Sequence, residues 1–453
     1  MSGTIVHLGL GAFFRAHGAI YVADAPGDWR IIGVSLRSPS VRDALVPQGC
    51  AYTSVTLAPD GLQTRRIEVL EDVLVAPEEP RAVLDAMAAP DTHIVSLTVT
   101  EKGYCHAPAT GALNPDHPDI VHDLANPLPK SAPGFLLRAL RMRHDAGLAP
   151  FTTLSCDNLP DNGPLVRGVV LDLARLMDPD LVPWIEAHAR FPATMVDRIT
   201  PATTSDDIAH VTELTGWADA APVMHEPFKQ WVIEDDFAGP RPDFAAAGAE
   251  VVRDVAPYEH MKLRMLNGTH SALAYLGYLA GHQTIAETMQ DAALARFVAR
   301  MWSDEITPTI TAPPGVSLDD YAHALAQRYA NPAIQHRTWQ IAMDGSQKLP
   351  QRILGSLTEN LAAGRTAPRQ CLAVAAWMRY VSGTDLQGQP IDVRDPLAEP
   401  LRDRATSEDP VGALLAMREV FPDDTARLIE PPVRAAFDDL TKRGVAAAIA
   451  ALS

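Results

Sequence analysis

The first half of the chain alternates short apolar runs with a longer helical pattern. TIVHLGL (4–10) and WRIIGVSL (29–36) have the length and composition of strands, and the helical stretch GAFFRAHGAIYVAD (11–24) separates them. Further strands are predicted at THIVSLTVT (92–100) and FTTLSCDN (151–158). Strands that alternate with helices indicate a parallel sheet with crossover helices. The pattern therefore predicts an α/β domain.

Polar clusters stand where three strands are expected to end. They are TVTEKGY (98–104), SCDNLPDNG (155–163) and MVDRITPATT (195–204). In open parallel sheets the functional residues collect at the carboxyl ends of the strands. We therefore expect the three clusters, each at the end of a predicted strand of this sheet, to contain active-site residues.

The pattern changes near residue 256, where β-rich runs give way to long stretches rich in Ala and Leu. Examples are HSALAYLGYLAG (270–281), DAALARFVARMW (291–302) and QCLAVAAWMRYV (370–381). These stretches predict helices. We therefore expect two domains, an α/β domain over 1–255 and a mostly α-helical domain over 256–453.

One helical segment carries unusual polar residues. On an α-helix with about 100° per residue, Glu259, Lys262, Asn267 and His270 fall within an arc of about 140°, among leucines. A buried lysine without a partner is unfavourable, because desolvation disfavours its charged form. A partly exposed helix with a snorkelling lysine and a hydrogen-bonded core histidine explains the pattern as well as a proton-exchanging site does.

Composition narrows the classes of partner. The chain has 453 residues, 47% of them hydrophobic, with 38 Lys and Arg against 56 Asp and Glu, a net charge of −18. This balance repels phosphate backbones and anionic lipids, so no nucleic-acid or membrane partner is expected. No apolar run reaches the length of about 18 residues that a membrane span needs, and MSGTIVHLGLGA at the N-terminus lacks a basic segment. A cytoplasmic protein is the expectation.

Cysteine and histidine spacing argues against a metal. Cys50, Cys105, Cys156 and Cys371 are widely separated and form no CxxC pair. The 15 histidines show no convincing helical ligand pattern with a third ligand. We expect reduced cysteines and no metal.

A glycine pair follows the first strand. In HLGLGAFFR (7–15), Gly9 allows a tight turn and Gly11 allows a pyrophosphate to approach the backbone. The third glycine of the usual dinucleotide-binding pattern is replaced by Phe14, and the second strand ends in SLR (35–37) without an acid. Arg37 is compatible with an adenosine 2′-phosphate or with simple solvation, and a plain α/β turn also explains the glycines.

Several long motifs, taken in order, resemble the mannitol dehydrogenase family, the polyol-specific long-chain dehydrogenases and reductases. The resemblance covers almost the whole chain and rests on IVHLGLGAFFRAH, TVTEKGY, SCDNLPDNG, MVDRITPATT, EPFKQWVIED, YEHMKLRMLNGTHSALAYLGYLAG and NPAIQHRTWQIAMDGSQKLPQR. It implies a Rossmann-type N-terminal domain, a mostly α-helical C-terminal domain and an active site between them. It also implies metal-free interconversion of a secondary alcohol and a ketone with NAD, or NADP, as cofactor.

The resemblance assigns roles to individual residues. The family's catalytic pattern Lys-x-x-x-x-Asn-x-x-His matches Lys262, Asn267 and His270, the asparagine of SCDN matches Asn158, and the proton-path glutamate matches Glu259. Lys348 matches a substrate-contacting lysine. The expected cofactor contacts are Gly9, Gly11, Phe13, Arg15, Arg37, Thr100, Glu101 and Asp197.

These roles agree with the chemistry of the residue types. A lysine acts as a base near neutral pH only if burial or nearby positive charge lowers its pKa from about 10.4. Asn158 and Asn267 can donate hydrogen bonds to a developing alkoxide, and His270 can orient a substrate hydroxyl. A turn-capping role for Asn158 and an ion pair between Asp197 and Arg198 remain as structural alternatives.

The segment HRTWQIAMDGSQKLPQR (336–352), here called the tail motif, helps to indicate which substrate is used. Together with TVTEKGYC it is most similar to the fructuronate reductases, also called D-mannonate oxidoreductases. The carboxylate at C1 of mannonate would favour a pair of basic side chains that bind it, and Lys348 and Arg352 are the candidates. Two residues spaced four apart are also compatible with a solvated basic face of a helix. GVSLRSPSVRDAL (33–45) keeps a mannitol- or arabinitol-type polyol 2-dehydrogenase open.

Two further expectations concern the class of protein and its assembly. A catalytically silent nucleotide-binding sensor is the alternative from a different class. The intact set of Lys262, Asn267 and His270 disfavours it, because a sensor has no use for a base. A small-molecule sugar acid or polyol is the expected partner, and the expected state is a monomer or a weak oligomer.

Overall fold

Eleven strands and nine α-helices make up the first half of the chain in a computed structural model that describes residues 2–107 and 110–452. Contacts divide the chain into two compact units, Met1–Ala256 and Pro257–Ser453. The strands are β1 (Ser2–Leu8), β2 (Asp28–Ser35), β3 (Tyr52–Ala58), β4 (Gly61–Ile67), β5 (Leu70–Val75), β6 (Thr92–Leu97), β7 (Thr152–Ser155), β8 (Thr194–Asp197), β9 (Val223–His225), β10 (Gln230–Glu234) and β11 (Glu250–Val252). The helices are α1 (Ala12–Ala16), α2 (Gly18–Asp24), α3 (Ser40–Leu45), α4 (Pro80–Ala88), α5 (Pro118–Ala125), α6 (Ala132–Asp145), α7 (Asn162–Met177), α8 (Val182–His188) and α9 (Ser205–Thr215).

The main sheet is parallel and has the order β5-β2-β1-β6-β7. Its strands alternate between two apolar layers, as a period of two requires. Ile5 belongs to the same buried apolar cluster as Trp231 and Phe244, and Val6 belongs to the other cluster, with Phe135. Both faces are therefore buried, as is usual for a parallel sheet with crossover helices. The α/β expectation for the first half is confirmed.

Two three-stranded sheets complete the first unit, with the orders β4-β3-β9 and β11-β10-β8. Strand β8 pairs antiparallel with β10, so that Asp197 lies opposite Gln230. The expectation that the cluster 195–204 follows a strand of the parallel sheet was therefore wrong. A four-residue apolar run does not reveal its pairing partner, because strand direction depends on contacts distant in sequence.

The helical stretch predicted over 11–24 is two short helices. The chain leaves helical geometry at His17, with φ −129° and ψ −83°, between α1 and α2. The His17 ring bonds the carbonyl of Gln230 at 2.8 Å, and a Cβ on Gly18 would lie 2.5 Å from the Phe14 ring. The break brings the chain close to itself, which the apolar periodicity alone does not reveal.

The second half is helical, as its Ala- and Leu-rich runs predict. Its α-helices are α10 (Ala256–Met261), α11 (Thr269–Ala280), α12 (Ile285–Gln290), α13 (Ala292–Arg300), α14 (Leu318–Tyr329), α15 (Thr338–Ala342), α16 (Gly345–Leu349), α17 (Gly355–Ala362), α18 (Pro368–Tyr380), α19 (Ala398–Ala405), α20 (Pro410–Leu415) and α21 (Asp423–Ala450), the last with a kink at Gly444. Three segments are π-helical: Lys262–Gly268, Met301–Ile306 and Pro350–Leu354. In the part of the chain that the structure describes, no helix combines the length and apolar character needed to cross a membrane.

Candidate active site

The glycine turn after β1 opens onto a cavity. Gly9 has φ +96°, and a Cβ there would lie 2.1 Å from the carbonyl oxygen of Thr98, so only glycine fits. A Cβ on Gly11 would meet no protein atom closer than the Gly9 oxygen at 3.8 Å. Gly11 therefore leaves space in the cavity itself, as close approach of a ligand to the backbone requires.

His7 holds this turn from beneath. Its ring is fully buried between the hydroxyls of Ser96, 2.8 Å from Nδ1, and Thr98, 2.9 Å from Nε2, while the Thr98 hydroxyl donates to the Gly9 carbonyl at 2.8 Å. Burial lowers the pKa of His7 to about 3, so the ring stays neutral. Since the Thr98 proton points to Gly9, His7 donates from Nε2 and accepts at Nδ1. His7 therefore has a structural role in linking β1 to β6.

Beyond β6 the backbone is strained at Thr100, whose φ is +64° and ψ 165°. Asp157 stabilises this conformation, because its carboxylate accepts hydrogen bonds from the N–H groups of Val99 at 2.9 Å and Thr100 at 3.0 Å. The hydroxyl of Tyr104 donates to the same carboxylate at 2.7 Å. Strain of this kind is typical of functional sites and persists only where surrounding contacts impose it. Asp157 belongs to the motif SCDN, but nothing in that motif indicates that its carboxylate holds the backbone at Thr100.

The cavity, of about 530 Å³, is lined by some of the expected cofactor contacts and not by others. Gly9, Gly11, Arg37 and Thr100 line it. The hydroxyl oxygen of Ser35, also in the lining, is buried and has no hydrogen-bond partner in the described ranges. An extended cavity beside a glycine turn, with an unpaired buried hydroxyl, fits a dinucleotide coenzyme.

The remaining expected cofactor contacts lie outside the lining of this cavity. Arg15 is buried, with its guanidinium 2.5 Å from the Ala221 carbonyl oxygen and over the ring of Tyr52, and its side chain does not line this cavity. Phe13 stacks on the ring of His17, with centroids 5.2 Å apart. Glu101 begins the 3₁₀-helix Glu101–Tyr104 and is half-buried, and Asp197 is buried at the end of β8. Their cofactor roles remain predictions.

One group of potential metal ligands, from Cys105, His117 and Asp119, lies within 4.8 Å of one another among the residues described. All three line the same cavity. The Nδ1 atom of His117 accepts a hydrogen bond from the Asp119 N–H at 3.2 Å, which caps helix α5. The expectation of no metal stays a prediction.

In the second unit, a π-helix carries the lysine and asparagine of the predicted catalytic set. Lys262 begins it, Asn267 lies near its end, and His270 follows in the first turn of α11; each is at most 7% exposed. In a π-helix the hydrogen bonds run from i to i+5, so each residue turns less than the assumed 100°. The arc of about 140° assumes α-helical geometry throughout and therefore does not apply to this segment; all three residues are buried.

Side chains from other helices stabilise the π-helix through its carbonyls. The Met265 oxygen accepts hydrogen bonds from the Thr269 hydroxyl at 2.5 Å and the Trp302 indole at 2.9 Å. The Leu266 oxygen accepts one from the Tyr329 hydroxyl at 2.7 Å. A π-helical turn is rare and often marks a functional site.

Three buried nitrogens in this region have no hydrogen-bond partner in the portion of the chain that the structure describes: Nδ2 of Asn267, Nε2 of His270 and Nδ1 of His336. The His270 ring stacks on Tyr329, with centroids 5.2 Å apart, and meets the His336 ring edge-on at 4.8 Å. Buried polar groups are normally hydrogen-bonded, so unpaired ones indicate a ligand or water. His336 is the first residue of the tail motif (336–352). Its place in that motif was the only indication in the sequence that it belongs to the site.

Burial, with a further effect from the charges around it, keeps the His270 ring neutral. Burial lowers the pKa of His270 well below its usual value, and the positive charges of Arg352, Arg328 and Lys348 act in the same direction. Burial, with the charges of Lys348 and Arg352, lowers the pKa of His336 to about 4. At neutral pH each imidazole therefore has one donor and one acceptor nitrogen.

Lys348 and Arg352 are half-buried beside these rings. The Lys348 ammonium donates to the carbonyl of Met343 at 2.6 Å, and Arg352 donates to the hydroxyl of Ser271 at 3.1 Å. Burial, followed by the charge of Arg352, lowers the pKa of Lys348 to about 8. The pair is therefore not the solvated basic face that remained as an alternative.

Gly345 and Ser346 position the helix that carries Lys348. A Cβ on Gly345 would lie 2.4 Å from the indole nitrogen of Trp377, so the chain packs more closely there than any other residue permits. Ser346 donates to the carboxylate of Asp395 through both its N–H, at 2.8 Å, and its hydroxyl, at 2.6 Å. These contacts fix the start of α16, one turn before Lys348.

The two remaining residues of the predicted catalytic set, Asn158 and Glu259, lie in different units. Asn158 is exposed in the turn after β7, at the carboxyl end of the parallel sheet. Glu259 is half-buried in α10, one turn before Lys262. Both make interactions within the protein, and their catalytic roles remain predictions.

Comparison with known proteins covers both units. A family model for the mannitol dehydrogenase Rossmann domain matches residues 3–246, and one for the mannitol dehydrogenase C-terminal domain matches residues 254–435. The uncharacterized oxidoreductase YeiQ of Escherichia coli (strain K12) is 47% identical over 436 residues, which are 94% of this chain and 89% of that protein. The D-mannonate oxidoreductase of the same organism is 44% identical over 469 residues, which are 100% of this chain and 96% of that protein.

A solved structure agrees over the full length. The ternary complex of Pseudomonas fluorescens mannitol 2-dehydrogenase with NAD and D-mannitol matches with a TM-score of 0.90 and 37% identity, covering 100% of this chain and 94% of that one. The Rossmann-type and helical fold classes are thereby confirmed. The hypothesis of a catalytically silent sensor was therefore wrong. The chain belongs to the mannitol dehydrogenase family of oxidoreductases, which are enzymes.

Proposed function

We propose that this protein is an NAD(P)-dependent dehydrogenase that interconverts D-mannonate and D-fructuronate. The observation that carries the proposal is the pair of half-buried cations, Lys348 and Arg352, beside His270. Neither has an ion-pair partner in the described part of the chain; their hydrogen bonds go to neutral oxygens. Asp344 and Asp395 act on Lys348 without forming an ion pair with it. A partly buried cation without a direct ion pair is unfavourable, and a substrate carboxylate would supply that contact.

Lys262 is the proposed general base. As the alcohol is oxidised, its neutral amine takes the proton of the reacting hydroxyl, and in the reverse direction its ammonium returns that proton to the ketone oxygen. The nicotinamide of the bound coenzyme would exchange a hydride with the carbon that bears the reacting oxygen. Burial of Lys262, at 7% exposure, supports this role because desolvation favours the neutral amine.

Asn267 and His270 are the proposed hydrogen-bonding groups for the substrate. The unpaired Nδ2 of Asn267 can donate to the reacting oxygen as negative charge develops there. The unpaired Nε2 of His270 can bond a neighbouring hydroxyl, and its neutral ring provides this contact without repelling the cations nearby. Both groups are buried before substrate arrives, so little reorganisation is needed.

Three residues keep the roles that the family resemblance gives them. Asn158 would donate a second hydrogen bond to the reacting oxygen, and Glu259 would carry the proton of Lys262 towards solvent. Asp197 would contact the coenzyme. Substitution of each by alanine tests these roles separately, because loss of Asp197 should raise the Kd of the coenzyme and loss of the other two should lower kcat.

Similarity to known relatives supports an acid substrate and also an alternative. The D-mannonate oxidoreductase of Escherichia coli aligns over the whole chain at 44% identity. The Pseudomonas fluorescens mannitol 2-dehydrogenase aligns over the whole chain at 37% identity, and its complex contains D-mannitol. A polyol 2-dehydrogenase, of the mannitol or arabinitol type, is therefore the second candidate.

The deciding experiment compares a charged with an uncharged substrate. Purified protein is assayed for reduction of fructuronate and of fructose, and Lys348→Met and Arg352→Met are assayed on both. Loss of a charge-assisted contact should lower kcat/KM on fructuronate about 10- to 150-fold, with a much smaller effect on fructose. Arg427→Met, at an exposed site in α21, is the matched control and should change neither. Preference of the unmodified enzyme for fructose, or equal losses on both substrates, would favour the polyol 2-dehydrogenase.

A further inference from the structure

His336, in the second unit, carries a buried nitrogen that the protein itself does not use. Its Nδ1 atom has no hydrogen-bond partner among the residues that the structure describes. Buried polar atoms are normally hydrogen-bonded, so an unpaired one indicates a ligand or water. The roles proposed above employ the unpaired nitrogens of Asn267 and His270 and leave that of His336 without a function.

Backbone contacts hold the segment around His336 in place. The His336 N–H donates to the carbonyl of Ile334 at 2.9 Å, and its carbonyl accepts from the N–H of Ile285 at 3.1 Å. Arg337, the next residue, forms an antiparallel β-bridge with Thr284. The imidazole is therefore presented from a fixed backbone, and its nitrogens are not needed to anchor the segment.

The ring of His336 borders both His270 and the two cations proposed for the substrate carboxylate. It meets the ring of His270 edge-on, with centroids 4.8 Å apart. Burial, followed by the charges of Lys348 and Arg352, lowers the pKa of His336 to about 4, so both cations are close enough to act on it. Arg352 also donates to the hydroxyl of Ser271, the residue after His270, at 3.1 Å. A substrate that reaches from His270 to these cations therefore passes His336.

The chemistry of the neighbouring groups favours a hydroxyl as the ligand of this nitrogen. The ammonium of Lys348, the guanidinium of Arg352 and the Nδ2 of Asn267 can only donate hydrogen bonds. Sugar hydroxyls also donate, so they need acceptors as well, and a neutral imidazole has one acceptor and one donor nitrogen. A hydroxyl matches Nδ1 in either tautomer of His336, whereas a carboxylate matches it only when Nδ1 carries the proton.

We propose that Nδ1 of His336 binds a non-reacting hydroxyl of the substrate, on one of the carbons between the ketone and the carboxylate. His336 is then a specificity-determining residue, because only a substrate with this hydroxyl satisfies the buried nitrogen. A site built to hydrogen-bond a hydroxyl rejects analogues that lack it, since its own polar group is left unpaired. This inference rests on the proposed function and adds to it the recognition of a second part of the substrate.

Three substitutions separate the nitrogen from the ring. His336→Phe keeps a ring beside His270 and removes both nitrogens, whereas His336→Asn places an amide near the position of Nδ1 and His336→Gln near that of Nε2. In the reduction of fructuronate, His336→Phe and His336→Gln should lose about 5- to 150-fold in kcat/KM, and His336→Asn much less. The loss should appear as a higher KM with kcat unchanged, because a contact to a non-reacting group is equal in the ground state and the transition state. Thermal unfolding of each variant checks that its fold is intact.

Deoxy derivatives of the substrate identify the hydroxyl and distinguish a direct contact from a structural effect. The unmodified enzyme and His336→Phe are compared on fructuronate and on its 3-, 4- and 5-deoxy derivatives. On the derivative that lacks the contacted hydroxyl the substitution should cost almost nothing, and on the other two the loss should remain. His323→Phe is the matched control, because His323 is exposed in α14, and it should behave as the unmodified enzyme on every substrate.

The opposing outcomes are distinct. Equal losses of His336→Phe on fructuronate and on all three derivatives, or a lower kcat with an unchanged KM, would overturn the contact. Equal losses in His336→Asn and His336→Gln would overturn its assignment to Nδ1. Preference of the unmodified enzyme for fructose would overturn the acid substrate alone; the same comparison is then made with fructose and its deoxy derivatives, because fructose has the same hydroxyls at these three carbons.

Discussion

The backbone carbonyl of Arg352 occupies the space that a side chain on Gly268 would need, since a Cβ there would lie 2.6 Å from its oxygen. Gly268 ends the π-helix that carries Lys262 and Asn267, and Arg352 lies in the π-helix Pro350–Leu354. Only glycine permits this approach. The contact therefore joins the segment of the proposed base to the segment of the proposed carboxylate clamp.

Gly268→Ala should disturb both segments. The methyl group must push the Arg352 backbone away, and overpacking of this kind costs about 1–3 kcal/mol. We expect a lower free energy of unfolding, measured by urea denaturation, and a lower kcat/KM on fructuronate.

Gly168→Ala is the control for this change. Gly168 lies inside α7, where a Cβ would have no neighbour within 4 Å. Alanine there should stabilise the helix by roughly 0.5–1 kcal/mol, because glycine loses more backbone entropy on folding. Equal unfolding free energies for the two variants would contradict the packing argument.

Local sequence patterns were sufficient for much of the fold. Short apolar runs identified β1, β2, β6 and β7, and the change to Ala- and Leu-rich stretches identified the helical half. They missed β5, which joins the same parallel sheet beside β2, because LEDVLV (70–75) mixes acidic with apolar positions. They also misassigned β8, since pairing is decided by contacts distant in the chain.

The candidate site was less predictable than the fold. The tail motif indicated Lys348, but only the structure brings its charge close enough to His270 to lower the pKa of that ring. The π-helix at Lys262 depends on hydrogen bonds from Trp302 and Tyr329, which are distant in sequence. Arg15 follows the glycine pair as expected, yet its side chain turns towards Ala221 because that carbonyl offers a buried acceptor.

Asp157→Asn should weaken coenzyme binding. The amide has one acceptor oxygen in place of the two that bond Val99, Thr100 and Tyr104, and its NH₂ group would face an N–H donor. Thr100 should then relax from its strained conformation at the cavity wall. Loss of a hydrogen bond to a charged group corresponds to about 1.5–3 kcal/mol, or a roughly 10- to 150-fold higher coenzyme Kd by fluorescence titration.

Asp85→Asn serves as the control for Asp157→Asn. Asp85 is an exposed carboxylate that pairs with Arg81 on α4. Its replacement should leave the coenzyme Kd unchanged. An unchanged Kd in Asp157→Asn as well would show that Thr100 does not depend on this carboxylate.

Lys262→Ala should abolish turnover and leave coenzyme binding nearly intact. The proposed base acts on the substrate proton, whereas the coenzyme cavity is lined by residues of the first unit. Steady-state kinetics and fluorescence titration with the coenzyme separate these two effects. A normal kcat in this variant, without added amines, would remove Lys262 as the base.

Chelation tests the expectation that the reaction needs no metal. Activity should be unchanged after dialysis against EDTA, because Lys262, Asn267 and His270 supply the proposed proton transfer and hydrogen bonds. Loss of activity that added Zn²⁺ restores would overturn this mechanism. Cys105→Ser would then show whether the ligand group in the first unit is responsible.

The pH dependence of the reaction should differ between acidic and neutral substrates. Burial and the charge of Arg352 lower the pKa of Lys348 from 10.5 to about 8, so its positive charge is present below that pH and lost above it. His336, with a pKa lowered to about 4, stays neutral throughout this range, as does His270. The value of kcat/KM for fructuronate, which reports the free enzyme, should therefore fall relative to that for fructose as the pH rises through about 8.

The quantity to measure is the ratio of kcat/KM for fructuronate to kcat/KM for fructose, because a change that affects both substrates alike, such as one at Lys262, cancels in this ratio. Lys348→Arg should keep its charge and remove the decline, since a guanidinium does not lose its proton in this range. A ratio that stays constant from about pH 6 to about pH 10 in the unmodified enzyme would mean that the charge of Lys348 does not bind the substrate.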